Sequence, residues 1–560
     1  MIRIHPVSFA VLSLFATSPL LQAASIDLPA GSKEAADRIT PATLRAPIAF
    51  LSDDLLEGRG PATRGDRLAR IYLASQLEAL GLRPGGPNGS WEQPFDVVGI
   101  KAKAPETWTF AKGGQQVGLT WYKDYVGSSG VQQPHAEVKD AEVVFVGYGI
   151  QAPEYKWDDY KGADLRGKVL LMLNNDPDWD DNLFAGKRRL YYGRWTYKYE
   201  SAARQGAAAA IIVHTTRSAG YPFQVVQTSW SGEQFELPAE SEPRIQFRAW
   251  ATEEASQRLV ALAGKKLDDL VAAAHRPDFK PVPLGVKTSI AIENTIQKAQ
   301  TANVLGLLPG SDPSLSKEVV IYSAHHDHLG VGEPNAKGDK IYNGAVDNAS
   351  GCSEILSVAR AFAALPEAPK RSVLFAFVAA EEQGLLGSAY LAHHPTFPSG
   401  KIAANINLDS ATKFGRTRDI TYIGYGKSKD LDAVVDGVAA MQSRKVLGDQ
   451  FPDKGSFYRS DQFNFAKVGV PAIYLDPGTD YVDHDAAWGK ARDEEYTEHD
   501  YHQPSDELDP SWNFDGMVAD ARFAFYCGAA IADAPAMPAW NPGDEFEAAR
   551  KKALAEAAGK

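Results

Sequence analysis

The chain has 560 residues, 44% hydrophobic and 23% charged, which is too long for one ordinary core and suggests roughly two to four domains. Its formal net charge of -13 argues against nucleic acid or an anionic membrane as the main partner, because both need a basic face. Two cysteines, Cys352 and Cys527, exclude a disulfide framework and leave either a single bridge or two buried thiols.

Residues 1–24 read as an export signal. Arg3 supplies the positive charge, Val7 to Leu21 is mostly apolar, and Gln22-Ala23-Ala24-Ser25 offers small residues for cleavage. The apolar stretch is too short and interrupted to span a membrane. The expected location is therefore periplasmic or extracellular, with no membrane span in the mature chain. Thr40 to Leu82 reads as two helical pieces around the glycine-rich turn Leu56-Glu57-Gly58-Arg59-Gly60. Leu73, Leu77 and Leu80 recur on one face, and Gly81 and Pro84 end the run.

From Ala136 to Arg276 the texture changes to a β-rich unit without a metal-like cluster. Val143–Val146 and Val169–Leu173 read as buried strands, and Glu200–Gly206 leads as a helix into a strand at Ala207–Val213. We expect an inserted domain here, interrupting a main domain made of residues 25–135 and 277–535. From Glu318 onward apolar strands alternate with helices, the pattern of an α/β fold with a mixed, mostly parallel sheet flanked by helices. Residues 536–560 end in an Ala-, Glu- and Lys-rich tail expected to be a solvated helix or a frayed end.

Acids and histidines fall where three of these strands end. Val319–Ala324 runs into His325 and Asp327, Val373–Ala380 into Glu381 and Glu382, and Ile402–Leu408 into Asp409. In an open α/β sheet such positions line one shared crevice. Adjacent carboxylates such as Glu381 and Glu382 repel unless protons or cations neutralise them. Neighbours in an extended segment also point apart, so one can hold a metal while the other acts as a base. Asp347 lies in the loop Asn343–Gly351, before a helix for which Ser350 is a candidate N-cap. By itself it reads equally as a turn residue, and His502 by itself as a solvated loop histidine.

Ala324-His325-His326-Asp327, Gly344–Gly351, Ala380–Ser388, Asn407-Leu408-Asp409 and Tyr501-His502, in that order, resemble the motifs of the co-catalytic di-zinc aminopeptidases. That family includes bacterial leucyl aminopeptidase, plasma glutamate carboxypeptidase and the transferrin-receptor-like proteins. The resemblance spans roughly Thr40 to Gly130 and Asn294 to Ala530, and residues 136–276 resemble the protease-associated domain that several members carry. It implies two Zn2+ per chain. One would be held by His325, Asp347 and Asp409, and the other by Glu382, Asp347 and His502, with Asp347 and a hydroxide bridging them. Glu381 would be the general base.

Asp327 would orient His325, and Asp506 would orient His502. Tyr458 matches a family loop that approaches substrate. His326, His328, His484 and His499 read as second-sphere or surface residues, because the ligand set is full without them. The implied activity is a secreted exopeptidase removing N-terminal residues from peptides. A dipeptidase or glutamate-type carboxypeptidase on the same fold is the alternative, and a non-catalytic receptor-like ectodomain a further one. The carboxypeptidase reading needs cations to grip a terminal carboxylate, and Arg371, Arg416, Arg418 and Arg459 are scattered in the sequence. The inserted unit reads either as a roof over the site or as a spacer, and its aromatic run Tyr191–Tyr197 either as substrate contact or as core.

Overall fold

A computed structural model describes residues 26–559; residues 1–24, which read as an export signal, lie outside them. The architecture is the expected α/β one. Its main sheet runs in order through the strands Val282–Leu308, Ser372–Val378, Val319–His325, Ile402–Leu408, Ala472–Pro477, Asp419–Ile423 and Lys445–Leu447, and Glu92–Lys103 and Arg83–Pro84 pair with the outer side of Val282–Leu308. The central pairings are parallel, with antiparallel joins at Val282–Leu308 and at Asp419–Ile423.

Strands covered on both faces need continuous apolar runs. Val319–His325, Ser372–Val378 and Ile402–Leu408 are buried at every position. One face carries the helices Pro41–Leu51, Gly351–Ala363, Lys429–Met441 and Asp515–Asp533, which share a core with Tyr322, Phe375 and Ile406. The other face is covered by Leu391 and Phe465 from two shorter helices. Each such buried side chain contributes about 1.5–3 kcal/mol from apolar burial.

A second mixed sheet holds the β-rich unit. Its order is Tyr125–Ser129, Phe247–Thr252, Ala209–His214, Val169–Leu173, His135–Phe145 and then the first half of Val282–Leu308. Trp108, Phe110 and Tyr125 pack in its core, so the unit draws in chain before residue 136. The 27-residue strand Val282–Leu308 belongs to both sheets. It pairs through Val282–Glu293 with the second and through Val304–Leu308 with the first. The two sheets are therefore joined by continuous backbone hydrogen bonding.

Two local expectations need correction, and one open alternative is resolved. Ser350 does not cap the helix Gly351–Ala363: its hydroxyl donates to the Val346 carbonyl, and Asn348 Oδ1 accepts from Gly351 N at 2.9 Å instead. The tail is docked, not frayed. Glu547–Ala558 is a helix whose Arg550 is buried and donates to the Ile402 carbonyl at 2.9 Å, and Trp540 and Phe546 join the core before it. Cys352 and Cys527 are separate buried thiols.

Candidate metal centre

His325 ends the central strand of the main sheet, and the two flanking strands end just before Glu381 and Asp409. Parallel strands in register place these ends at one edge. Asp347 comes from the segment Ala345–Ser350, where Asp347 and Asn348 leave helical geometry. A buried carboxylate fixes that segment: Asp506 accepts from Val346 N and Asp347 N, each at 3.0 Å. Arg59 braces it from the other side. Its fully buried guanidinium donates to the carbonyls of Leu51, His326, Asn343 and Gly344.

The two oxygens of Asp347 face two different histidines. Oδ1 is 3.1 Å from His325 Nε2, which is also 3.0 Å from Asp409 Oδ1. Oδ2 is 3.3 Å from His502 Nε2, which is also 3.1 Å from Glu382 Oε2. A tetrahedral zinc with N and O ligands at roughly 2.0–2.1 Å sets its donors roughly 3.3 Å apart, so both groups have the spacing of a shared-carboxylate pair of sites. The charge balance agrees. Asp347, Glu381, Glu382, Asp409 and Asp461 converge here, and among the described residues none of them forms an ion pair with a lysine or arginine. Carboxylates gathered in such number away from water need cations or protons to neutralise them.

Electrostatics separates the two adjacent glutamates. Burial holds the Glu381 carboxyl well above the ordinary range, and the charges of Glu382 and Asp409 add to this against His325. Burial acts on Glu382 in the same direction, but His502 and His328 outweigh it and bring Glu382 down to about 2. Glu381 N and Glu382 N both donate to the Asp327 carboxylate, at 3.1 and 3.4 Å. Asp327 thus holds the Glu-Glu turn. Its carbonyl lies 3.2 Å from His325 Nδ1, nearer than its carboxylate at 3.7 Å, so His325 is oriented mainly through the backbone.

Other expected residues are placed differently. Asp506 does not meet the His502 ring. His502 Nδ1 is 2.8 Å from Ser229 Oγ, a side chain of the inserted unit. Tyr458 turns away from the site: it is buried in the core with its hydroxyl donating to Glu545 at 2.7 Å. His326 lies 3.0 Å from buried Asp66, and His484 stacks on Trp488. His328 comes closer than expected, with Nδ1 2.7 Å from Glu382 Oε1.

Sequence reasoning missed Ser460, whose hydroxyl is 2.5 Å from Asp409 Oδ2. It also missed Asp461, whose buried carboxylate has no hydrogen-bond partner and is pushed up to about 7 by burial. Ser460 and Asp461 sit next to Arg459 in an ordinary polar run, and no local signal marks them.

The inserted unit lines the cleft and is therefore more than a spacer. Arg194, Trp195, Tyr221 and Ser229 share a concavity with Glu381 and His502. A second, adjoining cavity of about 230 Å³ reaches Asp347, Glu381 and Asp409 from the side of Tyr474 and Asp476. Of the aromatic run, Trp195 faces the cleft, whereas Tyr197 packs inside the unit.

The strand ends of this open α/β sheet thus gather paired histidines and carboxylates into groups that could hold metal ions. Residues 303–525 match the model of peptidase family M28. Among curated proteins, aminopeptidase NAALADL1 of Mus musculus is 32% identical over 120 residues, 20% of this chain and 14% of that protein. A probable zinc metalloprotease of Pyrenophora teres f. teres is 37% identical over 118 residues, 21% of this chain and 24% of that protein. The chain thus spans about a seventh to a quarter of the length of these relatives. Among solved structures, an aminopeptidase from Aneurinibacillus sp. strain AM-1 is 19% identical with a TM-score of 0.52, over 89% of this chain and 95% of that one; the two share a fold.

Proposed function

We propose that this chain is an exported di-zinc exopeptidase that removes N-terminal residues from peptides. The observation that carries the reading is Asp347, whose two oxygens each meet a separate histidine–carboxylate pair. His325, Asp347 and Asp409 would hold one zinc, and Glu382, Asp347 and His502 the other. Bound there, the metals supply Lewis-acid polarisation of the scissile carbonyl and lower the pKa of water.

The chain's own residues do the rest. Glu381 lies among these ligands but is not needed as one, with its oxygen within 4.8 Å of His325 and Glu382 donors. Its raised proton affinity suits a base that takes a proton from the attacking water and returns it to the leaving amine. Asp327 fixes the turn that sets Glu381 and Glu382 apart. Tyr221 and Trp195 of the inserted unit, which we assign as a protease-associated roof, narrow the cleft and exclude water.

The test is metal analysis with activity on aminoacyl p-nitroanilides and on peptides blocked at either end. Two zinc equivalents, loss of activity on chelation and recovery with zinc are expected. Activity indifferent to chelation, or confined to peptides with a blocked amino end, would overturn the reading. Among the described residues no helix is long and apolar enough to cross a membrane.

A further inference from the structure

The turn that Glu381 begins is held from two sides. Gly384 N closes it by donating to the Glu381 carbonyl at 2.9 Å, and the Asp327 carboxylate accepts from Glu381 N and Glu382 N. Gln383 stands on this turn, and its side chain crosses the seam. Its Oε1 accepts at 2.8 Å from Phe235 N, on the strand Glu233–Glu236 of the inserted unit. That strand is itself paired with Glu92–Lys103.

A backbone N–H donates and never accepts, so this bond fixes which end of the Gln383 amide is the oxygen and turns the NH2 group away from Phe235. The Oε1 contact is the one side-chain hydrogen bond of Gln383 among the described residues, which leaves both N–H groups of Nε2 free. Gln383 is half-buried on the wall of the concavity that holds Glu381, Glu382 and His502. There is room beside it: a Cβ added to Gly384 would meet only Trp195, at 3.7 Å.

Glu381 borders this concavity and also the cavity of about 230 Å³ that reaches Asp347 and Asp409. A base shared by two hollows divides a substrate between them. The cavity, walled by Phe414, Tyr474 and Tyr496, suits the side chain of the first residue. The leaving amine takes its proton from Glu381, so the chain beyond the cleaved bond enters the concavity with Gln383. Its first acceptor there is the carbonyl of the leaving residue.

We propose that Gln383 is a substrate-binding residue whose Nε2 donates to the carbonyl of the residue that leaves. This rests on the peptidase reading above, with Glu381 as the base. It gives the inserted unit a part in recognition, because Phe235 N aims the donor, and it makes the site select peptides over simple amides.

The experiment measures kcat/KM for Leu-Gly amide, which has that carbonyl, and for leucine propylamide, which lacks it. It uses the zinc-loaded full chain, Gln383→Glu and Gln383→Leu, with metal content read on each sample. Once ionised, Gln383→Glu still accepts from Phe235 N but has no donor, and Gln383→Leu removes the donor without adding charge. The ratio of the two substrates cancels any loss they share. A missing neutral hydrogen bond costs about two- to tenfold, so the ratio should fall by that factor in both variants. Parallel losses on both substrates, no change on either, or a fall confined to Gln383→Glu overturn the proposal and leave Gln383 as a brace of the turn. If the wild-type chain cleaves neither compound, the peptidase reading has failed. Calorimetric binding of the two compounds to wild type and Gln383→Leu then decides the contact separately: the same affinity ratio in both proteins overturns it, and a lower ratio in the variant upholds it.

Discussion

Ser229 Oγ and His502 Nδ1 lie 2.8 Å apart across the seam between the inserted unit and the main sheet. Thr228 Oγ1 reinforces the contact by donating to the His502 carbonyl at 3.1 Å. His502 stands on a loop with a positive φ of 57°, so its ring direction depends on these partners more than on its own backbone. A partner that fixes the tautomer and angle of a metal-binding imidazole typically accounts for a 10–100-fold effect on affinity. Ser229→Ala should therefore weaken retention of one zinc by about tenfold or more, read by competition with a graded chelator, while the other ion is held as before. Unchanged affinity for both ions would remove the inserted unit from the metal site.

Glu381→Ala should leave two zinc ions bound, because both ligand groups are complete without it. Turnover should fall by about 10²–10⁴-fold, the usual contribution of a positioned general base. Metal content and kcat measured on the same sample separate the two effects. Loss of metal together with activity would make Glu381 a ligand instead.

Arg59 is fully buried and satisfies four backbone carbonyls around the Asp347 loop. Arg59→Met keeps much of the volume but leaves those carbonyls unpaired, at about 1–3 kcal/mol for each one that finds no water. A loss of at least about 3 kcal/mol is expected in urea unfolding of the metal-free chain. A midpoint within error of the wild type would show that the loop is held by Asp506 alone.

His214 ends a central strand of the inserted unit, and its Nε2 has no partner. Burial lowers its pKa from 6.5 to about 4, only partly opposed by backbone hydrogen bonds. The folded ring stays neutral down to about pH 4, whereas the unfolded one protonates near 6.5. The unfolded chain binds more protons in that window, so stability is complete above it and is lost as pH falls from 6.5 toward 4, by up to about 3 kcal/mol. Unfolding of wild type and His214→Gln at pH 7.5 and 5 checks this. An equally steep pH dependence in the variant would rule out His214 as its source.

The sequence by itself determined the parts that depend on local period. Continuous apolar runs such as Val319–Ala324 and Ile402–Leu408, short and rich in β-branched residues, read as strands covered on both faces, and their ends deliver His325 and Asp409 to one edge. The Glu381-Glu382 pair is legible for the same reason, because two carboxylates beside a buried strand need an explanation wherever they occur. Asp347 and His502 carry no such local mark, and only the ordered motifs pointed to them.

Tertiary structure alone decided which groups act on these residues from far along the chain. Asp506 holds the Asp347 loop and not the His502 ring, Ser229 takes that ring, and Tyr458 points into the core while its neighbour Arg459 faces the cleft. A side chain's direction at a loop position has no period to read, and partners more than 150 residues apart leave no pattern in either segment. The same holds for Arg189, Arg194 and Arg459. Separately they look like ordinary surface arginines, and only the packing of the inserted unit against the main sheet brings them together around one hollow.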